Sequence, residues 1–329
     1  MRDLVAIILL AFLLDLVLGD PRYRLHPIRL MGRCILIFTK ILRHSGMDGR
    51  VGGILLVAMT QIVFLTGYLT AAFIFYRLNT LLGLLFDLFV CYSCLALKDL
   101  FCHTNRVLQA LMADDLSEAR ARIAMVVGRD VRFLDKIGIC RAAIETLGEN
   151  YVDGFLSPLF WYVCGGIAAT IMGLPQVTTA VMLMLAFKVT STLDSMVGYK
   201  DPEFLKLGWA GAKLDDVMNF IPARLSLVIL CIGAFICRTN PLAGIKTALR
   251  DRLKHDSPNS AHAESFVAGA LHVQLGGPTV YPEGQKEKPW LGEGNLDPLP
   301  IHIRKTGLLL KCSAWVGVAI SVSAIVLFT

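Results

Sequence analysis

Long apolar runs are the feature of this chain that most restricts its fold. A run of roughly 18 apolar residues is enough to cross the hydrocarbon core of a membrane as a helix. Backbone polar groups must be satisfied inside such a run, which favours helices over open strands. The candidate spans are residues 4–18, 51–76, 78–97, 155–174, 177–197, 220–237 and 307–328.

Composition supports the same class. Hydrophobic residues make up 55% of the 329 residues and charged residues 18%, against about 25% charged in an average soluble domain. We therefore predict an all-α, polytopic membrane protein with roughly five to seven membrane helices, forming one integral membrane domain over residues 1–329. The first run ends at Gly19-Asp20-Pro21 without a small-residue cleavage site, so we expect a retained helix rather than a signal peptide.

Three polar stretches separate the apolar runs, at about residues 20–50, 98–153 and 238–305, and each is rich in Lys and Arg. That bias predicts that all three lie at the cytoplasmic face. Seven complete spans would place the third stretch on the opposite side. Either one segment is re-entrant or interfacial, with those holding Asp15 or Lys188 and Asp194 the best candidates, or the third stretch lies outside. The net charge of +6 is explained by these loops and by anionic lipid, and is no argument for nucleic acid.

Two local patterns concern the loops and the cysteines. Asp115 followed by Glu118 resembles a capping box, so the second polar stretch is expected to contain a helix that stops at Gly128. Nine cysteines are present, and Cys91 and Cys94 have CxxC spacing without a second pair. Buried reduced thiols are favoured over a metal or redox site.

Ionisable residues lie inside or beside two apolar segments. A charge within the membrane is costly and usually marks a functional site. The first group, around the end of the first run, consists of Asp15, Asp20, Arg22 and His26, and the second, within 177–197, consists of Lys188 and Asp194. The alternative explanation is a helix stop with positive-inside anchoring for the first group and a structural ion pair for the second.

Carboxylates form two further groups. Glu145, Glu149 and Asp153 recur every four residues, which places them on one stripe of a helix, where like charges repel unless something offsets them. Asp215 and Asp216 form the second group. Oxygen ligands of this kind suit Mg²⁺, so Glu149, Asp153, Asp215 and Asp216 are candidate metal ligands. A solvated acidic face is the alternative.

Cations precede a predicted helix start in the third polar stretch. Ser257 can cap a helix whose first position is Pro258. Free N–H groups beside cationic side chains suit an anion, and an ordinary capped surface helix is the alternative. Arg224, at the start of an apolar run, could bind phosphate or carboxylate bidentately or simply anchor the helix. The candidate anion ligands of the third stretch are Arg250, Arg252, Lys254, Ser257 and Asn259.

Several of these blocks occur in an order that is typical of one enzyme family. They are Leu14-Asp15, Gly19-Asp20-Pro21, His26-Pro27 and Gly32-Arg33; Glu149-Asn150, Asp153-Gly154 and Ser157-Pro158-Leu159; Lys188 with Ser191-Thr192-Leu193-Asp194; Leu214-Asp215-Asp216-Val217 with Ile221-Pro222-Ala223-Arg224-Leu225; and Ser257-Pro258-Asn259. Together they resemble the adenosylcobinamide-phosphate synthase family of cobalamin biosynthesis, over about residues 11–292. A small departure is Gly148, where the family pattern has alanine.

The resemblance implies an amide ligase of the adenosylcobalamin pathway. Such an enzyme joins a propionate carboxylate of adenosylcobyric acid to the amine of aminopropanol phosphate, or of aminopropanol, with ATP and Mg²⁺ as expected co-reactants. A carboxylate is a poor acyl electrophile, so activation as an acyl phosphate is expected, and phosphoryl transfer depends mainly on metal and cations. The resemblance also implies a location in the cell membrane, with other membrane enzymes of the pathway as candidate partners.

On this interpretation the candidate residues divide into three roles. Lys188, Asp194 and Arg224 are the catalytic candidates, with Asp194 or His255 as the general base. The remaining roles are substrate or phosphate binding and metal binding. The soluble nucleotide motifs GxxxxGK[ST] and GxGxxG are absent from the sequence, so ATP would be bound in another way. The substrate and phosphate ligands are Asp20, Arg22, His26, Arg250, Arg252, Lys254, Ser257 and Asn259, and the metal ligands are Glu149, Asp153, Asp215 and Asp216.

Two rival functions remain. Asp15, Asp87, Lys188 and Asp194 within apolar segments could instead mark an ion-coupled transporter. Against that function, no inverted repeat is visible and the best motifs lie in polar stretches. A sensor or scaffold relative with a degraded site is the third possibility, and the intact acidic and basic blocks argue against it.

Overall fold

The protein is predominantly α-helical in a computed structural model, which confirms the predicted class. The structure describes residues 1–21, 23–128, 130–199, 202–281, 284–293 and 296–329, with only the backbone described at 279–281 and 284–286. The helices are α1 Arg2–Leu18, α2 Pro27–His44, α3 Arg50–Leu78, α4 Thr80–Ser93, α5 Leu97–Met112, α6 Leu116–Ile123, α7 Lys136–Tyr151, α8 Ser157–Met172, α9 Gln176–Val197, α10 Trp209–Met218, α11 Phe220–Ile236, α12 Pro241–Asp251, α13 Ser260–Leu271 and α14 Pro300–Phe328.

Short strands and one π-helical turn complete the secondary structure. The π-helical turn Val152–Leu156 follows α7 directly. Strands β1 Leu275–Gly276 and β4 Trp290–Leu291 pair antiparallel, as do β2 Thr279–Tyr281 and β3 Gly284–Lys286. Gly276 and Gly277 have positive φ, a conformation that glycine adopts without strain and that lets the chain turn between β1 and β2.

Five segments are long and apolar enough to cross a membrane, so the chain is a multi-pass membrane protein. Helices α1 and α11 have 17 residues each and fall short of the 18-residue minimum when taken alone. A sixth span arises if α10 and α11 together make one broken span. The five segments are Arg50–Leu78, Thr80–Met112, Lys136–Met172, Gln176–Val197 and Pro300–Phe328.

The outer faces of these helices carry large apolar side chains. Ile62 and Phe73 of α3 are 61% and 62% exposed, and only 17% of the most apolar window of α3 is buried inside the protein. Apolar surface of this extent is unfavourable in water and favourable against lipid tails. The exposed faces therefore agree with the membrane assignment.

The predicted polar stretches are largely helical, as expected. Asp115 is the N-cap of α6 and its side chain accepts the Glu118 N–H at 2.9 Å, which confirms the predicted cap. The helix ends at Ile123 rather than at Gly128. Residues 124–126 leave the helix in a turn, so the apolar residues before Gly128 do not extend it.

The chain divides into two compact units where one membrane domain is expected, and that expectation stays a prediction. Unit 1 comprises Met1–Ala96, Ser157–Met218 and Val318–Thr329; unit 2 comprises Leu97–Leu156 and Asn219–Gly317. In unit 1, α8 packs closely against α9. A Cβ at Gly165 would lie 2.6 Å from the Cα of Ala180 and 2.7 Å from the Thr179 carbonyl oxygen. Glycine at 165 permits this close backbone approach, as small residues do between membrane helices.

Unit 1 also contains a buried carboxylate, Asp87, on α4. Its two oxygens accept hydrogen bonds from Tyr68 at 2.6 Å and Tyr76 at 2.8 Å, both on α3. A buried polar group is costly unless it is hydrogen-bonded, and these two hydroxyls supply the bonds. Asp87 therefore has a structural explanation.

Unit 2 is organised around α13, which is buried along its whole length from Ala261 to Leu271. Helix α12 packs on it at two glycines: a Cβ at Gly244 would overlap the Phe266 ring, and one at Gly269 would overlap Thr247. Helices α7 and α11 cover other sides of α13. Every polar group on α13 is consequently shielded from bulk water and needs a hydrogen-bond partner.

We expect Gly165→Leu to lower the stability of the protein by about 1–3 kcal/mol or more, because the added side chain must separate two backbones. Gly67→Leu is the matched control, since a Cβ at Gly67 meets nothing within 4 Å. Thermal unfolding in detergent measures both variants. Equal midpoints for the two would contradict the tight α8–α9 contact.

Candidate functional site

In unit 1, His26 lies at the centre of one polar cluster. Helix α1 ends at Gly19, with φ of 70°, and His26 is the N-cap of α2. The side chain of His26 is 2% exposed, and its Nε2 lies 2.6 Å from Oδ1 of Asp20. Burial lowers the pKa of His26, Asp20 opposes that shift, and Arg29 and Lys188 add to it. The ring is therefore neutral near pH 7.

This cluster joins two groups that the sequence presents separately. Lys188 of α9 acts on a histidine that precedes α2, so the two predicted groups of ionisable residues meet in unit 1. The neutral His26 beside Asp20, with two cations nearby, can orient a polar substrate group. Arg22, also predicted here, lies outside the described residues.

The other carboxylates of unit 1 lie on α9 and α10. Asp194 is near the end of α9, and a Cβ at Gly198 would overlap its carboxylate. Helix α10 packs on α9, with Gly211 against Leu193. Asp215 lies one turn after Gly211, on the same face, and is buried. Asp216 points elsewhere and receives Lys213 Nζ at 3.1 Å.

In unit 2, the predicted acidic stripe on α7 is present for two of its three members. Glu145 accepts the Gly276 N–H at 2.7 Å, and Glu149 accepts the Ser260 hydroxyl at 3.1 Å. Asp153, predicted as the third, lies in the π-helical turn. A π-helix bonds residue i to i+5 rather than i+4, so the four-residue repeat does not continue through it. The prediction of one continuous α-helical stripe was wrong at Asp153.

The predicted metal ligands are divided between the units, with Asp215 and Asp216 in unit 1 and Glu149 and Asp153 in unit 2. Across the described part of the chain, no three His, Cys, Asp or Glu side chains are grouped so as to hold a metal ion. Mg²⁺ usually keeps several waters and takes one or two carboxylates plus substrate phosphates. A Mg²⁺ held in that way needs carboxylates of one unit only, and metal binding by these residues stays a prediction.

A second cluster of unit 2 surrounds Arg224 of α11. Arg224 Nη1 donates to the Phe220 carbonyl at 2.6 Å and lies 3.4 Å from Oδ1 of Asn259. Its guanidinium also stacks 3.3 Å above the centroid of the Phe220 ring. These contacts hold a cation at the start of α13, beside two of the predicted phosphate ligands, Asn259 and Arg252.

His262 belongs to this cluster, and sequence reasoning did not single it out as a site residue. It is fully buried, with Nδ1 3.2 Å from the Asn259 carbonyl oxygen. Burial and Arg224 lower its pKa to about 4, with Arg252 adding to the shift and the Asn259 carbonyl opposing it. A lone histidine in an alanine-rich segment carries little sequence signal. Only its spacing of three from Asn259 points to the contact.

The three predicted cations of this stretch differ in their surroundings. Arg250 Nε and Lys254 Nζ each lie 2.7 Å from Oδ1 of buried Asp251, which also accepts the Gly292 N–H at 2.9 Å. Burial alone would raise the pKa of Asp251, but these bonds lower it well below its ordinary range. Arg250 and Lys254 therefore hold the end of α12 against the chain after β4, while Arg252 lies with Arg224 and His262. Phosphate binding by Arg250 and Lys254 stays a prediction.

The predicted start of α13 needs a correction. Asn259 is the N-cap and Ser260 the first residue, so Pro258 is not the first helical position. The Ser257 hydroxyl accepts the Asn259 N–H at 3.3 Å, and the Ser257 N–H donates to His255 Nδ1 at 3.1 Å. Serine side chains that bond the backbone two residues on form local turns, which here delays the helix. Burial lowers the pKa of His255, and Glu149 opposes that shift.

These features define a class: a multi-pass helical membrane protein whose polar clusters combine cations, neutral histidines and carboxylates. Comparison with known proteins narrows it. The family model described as "CobD/Cbib protein" matches residues 8–310. The chain therefore belongs to the CobD/CbiB family.

Individual relatives agree over nearly the whole chain. The cobalamin biosynthesis protein CobD of Pelobacter propionicus is 41% identical over 292 residues, covering 87% of this chain and 84% of the relative. That of Klebsiella pneumoniae is 37% identical, covering 94% of each. The cobalamin biosynthesis protein CbiB of Salmonella arizonae is 36% identical, covering 96% and 95%. No solved structure matches the chain.

Asp251→Asn should lower the free energy of unfolding by about 3–5 kcal/mol near neutral pH, because it removes one partner of a buried ion cluster. A carboxylate whose pKa is lowered by folding stabilises the protein above its ordinary pKa of about 3.9 and loses that effect as the pH falls further. The difference from wild type should hold between about pH 7 and 5 and shrink below about pH 4.

Unfolding in detergent, followed by circular dichroism, measures this difference. Asp114→Asn is the matched control: Asp114 is 88% exposed and pairs with Lys136 at the surface, so its loss should leave stability unchanged. A variant at Asp251 as stable as wild type would contradict the structural role of this carboxylate.

Proposed function

We propose that this protein is an adenosylcobinamide-phosphate synthase. The reaction joins a propionate carboxylate of adenosylcobyric acid to the amine of aminopropanol phosphate, or aminopropanol, with ATP and Mg²⁺ as co-reactants. Membership of a family whose relatives are named cobalamin biosynthesis proteins supports the pathway. The match over nearly the whole chain supports an intact enzyme rather than a degraded relative.

One observation of the geometry carries the proposal. Residues from three separated sequence blocks, Glu149, Arg224 and 257–260, meet by direct contacts in unit 2. A cluster of arginines next to carboxylates is what a phosphorylated reactant with bound Mg²⁺ requires. A purely structural helix contact would not need two arginines around one histidine.

The roles follow from charge and burial. ATP would supply the phosphate that makes the carboxylate reactive, and Mg²⁺ would offset its charge. Arg224 and Arg252 would orient and neutralise a phosphate. Lys188 would orient and neutralise an anion at the His26 cluster of unit 1. Asp194 or His255 would accept the proton that the amine loses. Asp20 and His26 would orient a polar substrate group.

We place the active face at the cytoplasmic side of the cell membrane, because the basic stretches favour that side. The lipid bilayer surrounds the protein, and we propose other membrane enzymes of the cobalamin pathway as its protein partners. Ion-coupled transport is less well supported. One of its four marker residues, Asp87, is bonded to two tyrosines as a structural group.

The purified protein should form an amide product from adenosylcobyric acid, aminopropanol phosphate, ATP and Mg²⁺, and should form none when any one is omitted. Arg224→Ala should lower kcat/KM about ten-fold or more, since a charge-assisted contact contributes about 1.5–3 kcal/mol. The exposed Arg106 on α5 is the matched control. Absence of product from folded protein under all these conditions would overturn the proposal.

Asp216→Asn and Glu149→Gln should each raise the Mg²⁺ concentration needed for half-maximal rate by about ten-fold, the effect of losing about 1.4 kcal/mol of binding. Asp114→Asn, which removes an exposed carboxylate elsewhere, should leave the Mg²⁺ dependence unchanged. An unchanged Mg²⁺ dependence in both test variants would exclude these carboxylates as ligands.

A further inference from the structure

Three nitrogen-bearing side chains of unit 2 lie near one another at the start of α13. Arg224 comes from α11, Arg252 follows α12, and His262 is the third residue of α13. Both arginines act electrostatically on His262. Among the described residues, the buried Nε of Arg252 and the buried Nε2 of His262 have no hydrogen-bond partner. Buried polar atoms are normally paired, so two unpaired nitrogens beside a further cation, Arg224, point to a bound anion.

The hydrogen bond at Nδ1 settles the state of the histidine ring. A backbone carbonyl only accepts, so Nδ1 must carry the proton that it shares with the Asn259 carbonyl at 3.2 Å. In the neutral ring, Nε2 then carries a lone pair and no proton. Two guanidiniums therefore lie near a ring whose Nε2 carries a lone pair.

The carboxylates of the elements around His262 have partners of their own, and these include Asp256 and Glu264. On α7, Glu145 accepts the Gly276 N–H and Glu149 accepts the Ser260 hydroxyl. On α12, Asp251 is bonded to Arg250 and Lys254. The charged groups that act on His262 are the two arginines alone among the described residues. The two arginines thus give the surroundings of His262 a positive potential that an anion would offset.

We propose that Arg224, Arg252 and His262 form a binding site for a phosphate monoester group, and that His262 takes up one proton when the site fills. The identity of the phosphate-bearing reactant rests on the proposed function; the site itself does not. Asn259, bonded to both Arg224 and His262, positions the two side chains.

Proton uptake follows from the charges. An empty site holds His262 neutral, because burial and the two arginines lower its pKa to about 4. A phosphate dianion would meet the Nε2 lone pair unfavourably, whereas a protonated Nε2 donates a hydrogen bond to it. A unit charge 4 Å away is enough to raise a pKa by roughly three near a protein surface, and a dianion carries two such charges. The bound state therefore holds a proton between Nε2 and a phosphate oxygen.

Isothermal titration calorimetry of the full-length protein in detergent tests this directly. Inorganic phosphate is titrated at about pH 8, where a phosphate group is mainly a dianion, in two buffers with different ionisation enthalpies. We expect about one proton taken up per bound phosphate. His262→Gln should still bind phosphate, more weakly and without proton uptake. Arg224→Ala and Arg252→Ala should bind about ten-fold or more weakly.

Matched controls lie on the same helices. His272, exposed at the other end of α13, is replaced by Asn, which tolerates its left-handed backbone. Lys246, exposed on α12, is replaced by Ala. Both should bind phosphate and take up protons as wild type does. If an arginine variant does not fold, Arg252→Lys replaces it. The number of protons taken up by wild type tests the proposal without any variant.

Three results would overturn the proposal: phosphate binding to wild type without proton uptake, undiminished uptake in His262→Gln, or wild-type affinity in both arginine variants. ATP and aminopropanol phosphate are then added as competitors, and the one that displaces phosphate with His262-dependent uptake is the source of the group. Displacement by neither would overturn the assignment to a reactant. Because no turnover is needed, a site that behaves as expected in protein that forms no amide would contradict only the proposed function.

Discussion

Removal of water from the helical interior is the constraint on which this structure depends. A polar group placed there must be hydrogen-bonded or paired, or it costs several kcal/mol. Asp87 satisfies this requirement with two tyrosines, and Asp251 with Arg250, Lys254 and the Gly292 N–H. The buried Nε2 of His262 and Nε of Arg252 are among the atoms that no described group satisfies, and both side chains lie near Arg224. Two unsatisfied nitrogens beside a further cation mark the region where we place a ligand.

The same constraint separates cations that the sequence presents as equivalent. Arg250, Arg252 and Lys254 stand within five residues, and their density suggests one anion site. Arg250 and Lys254 flank buried Asp251, whereas Arg252 joins Arg224 and His262. Residues of a structural ion cluster and of a ligand site can thus be sequence neighbours. At the end of a helix, successive side chains point to different neighbouring elements.

Each unit gathers motif blocks that lie far apart in the chain. In unit 1, the turn between α1 and α2 brings His26 within the influence of Lys188 on α9. In unit 2, the fully buried α13 collects Glu149 from α7 and Arg224 from α11 at its first turn. Gly148 packs there against the backbone of Glu264, where a Cβ would lie 3.4 Å from the nearest atom. Alanine, which the family pattern has at this position, would also fit.

Apolar run length, charge bias and the order of motif blocks were sufficient to predict a multi-pass helical protein, its family and most of its candidate residues. These are local properties of the chain, because a membrane helix satisfies its own backbone and a motif is read in order. The roles within the third polar stretch were not local. Packing between distant segments decides whether Arg250 or Arg252 is free for a ligand. It also decides whether Asp153 continues the stripe of α7 and whether His262 is buried beside two arginines. Burial and pairing set the energy of a charge far more than its sequence neighbours do, so only the tertiary structure could decide them.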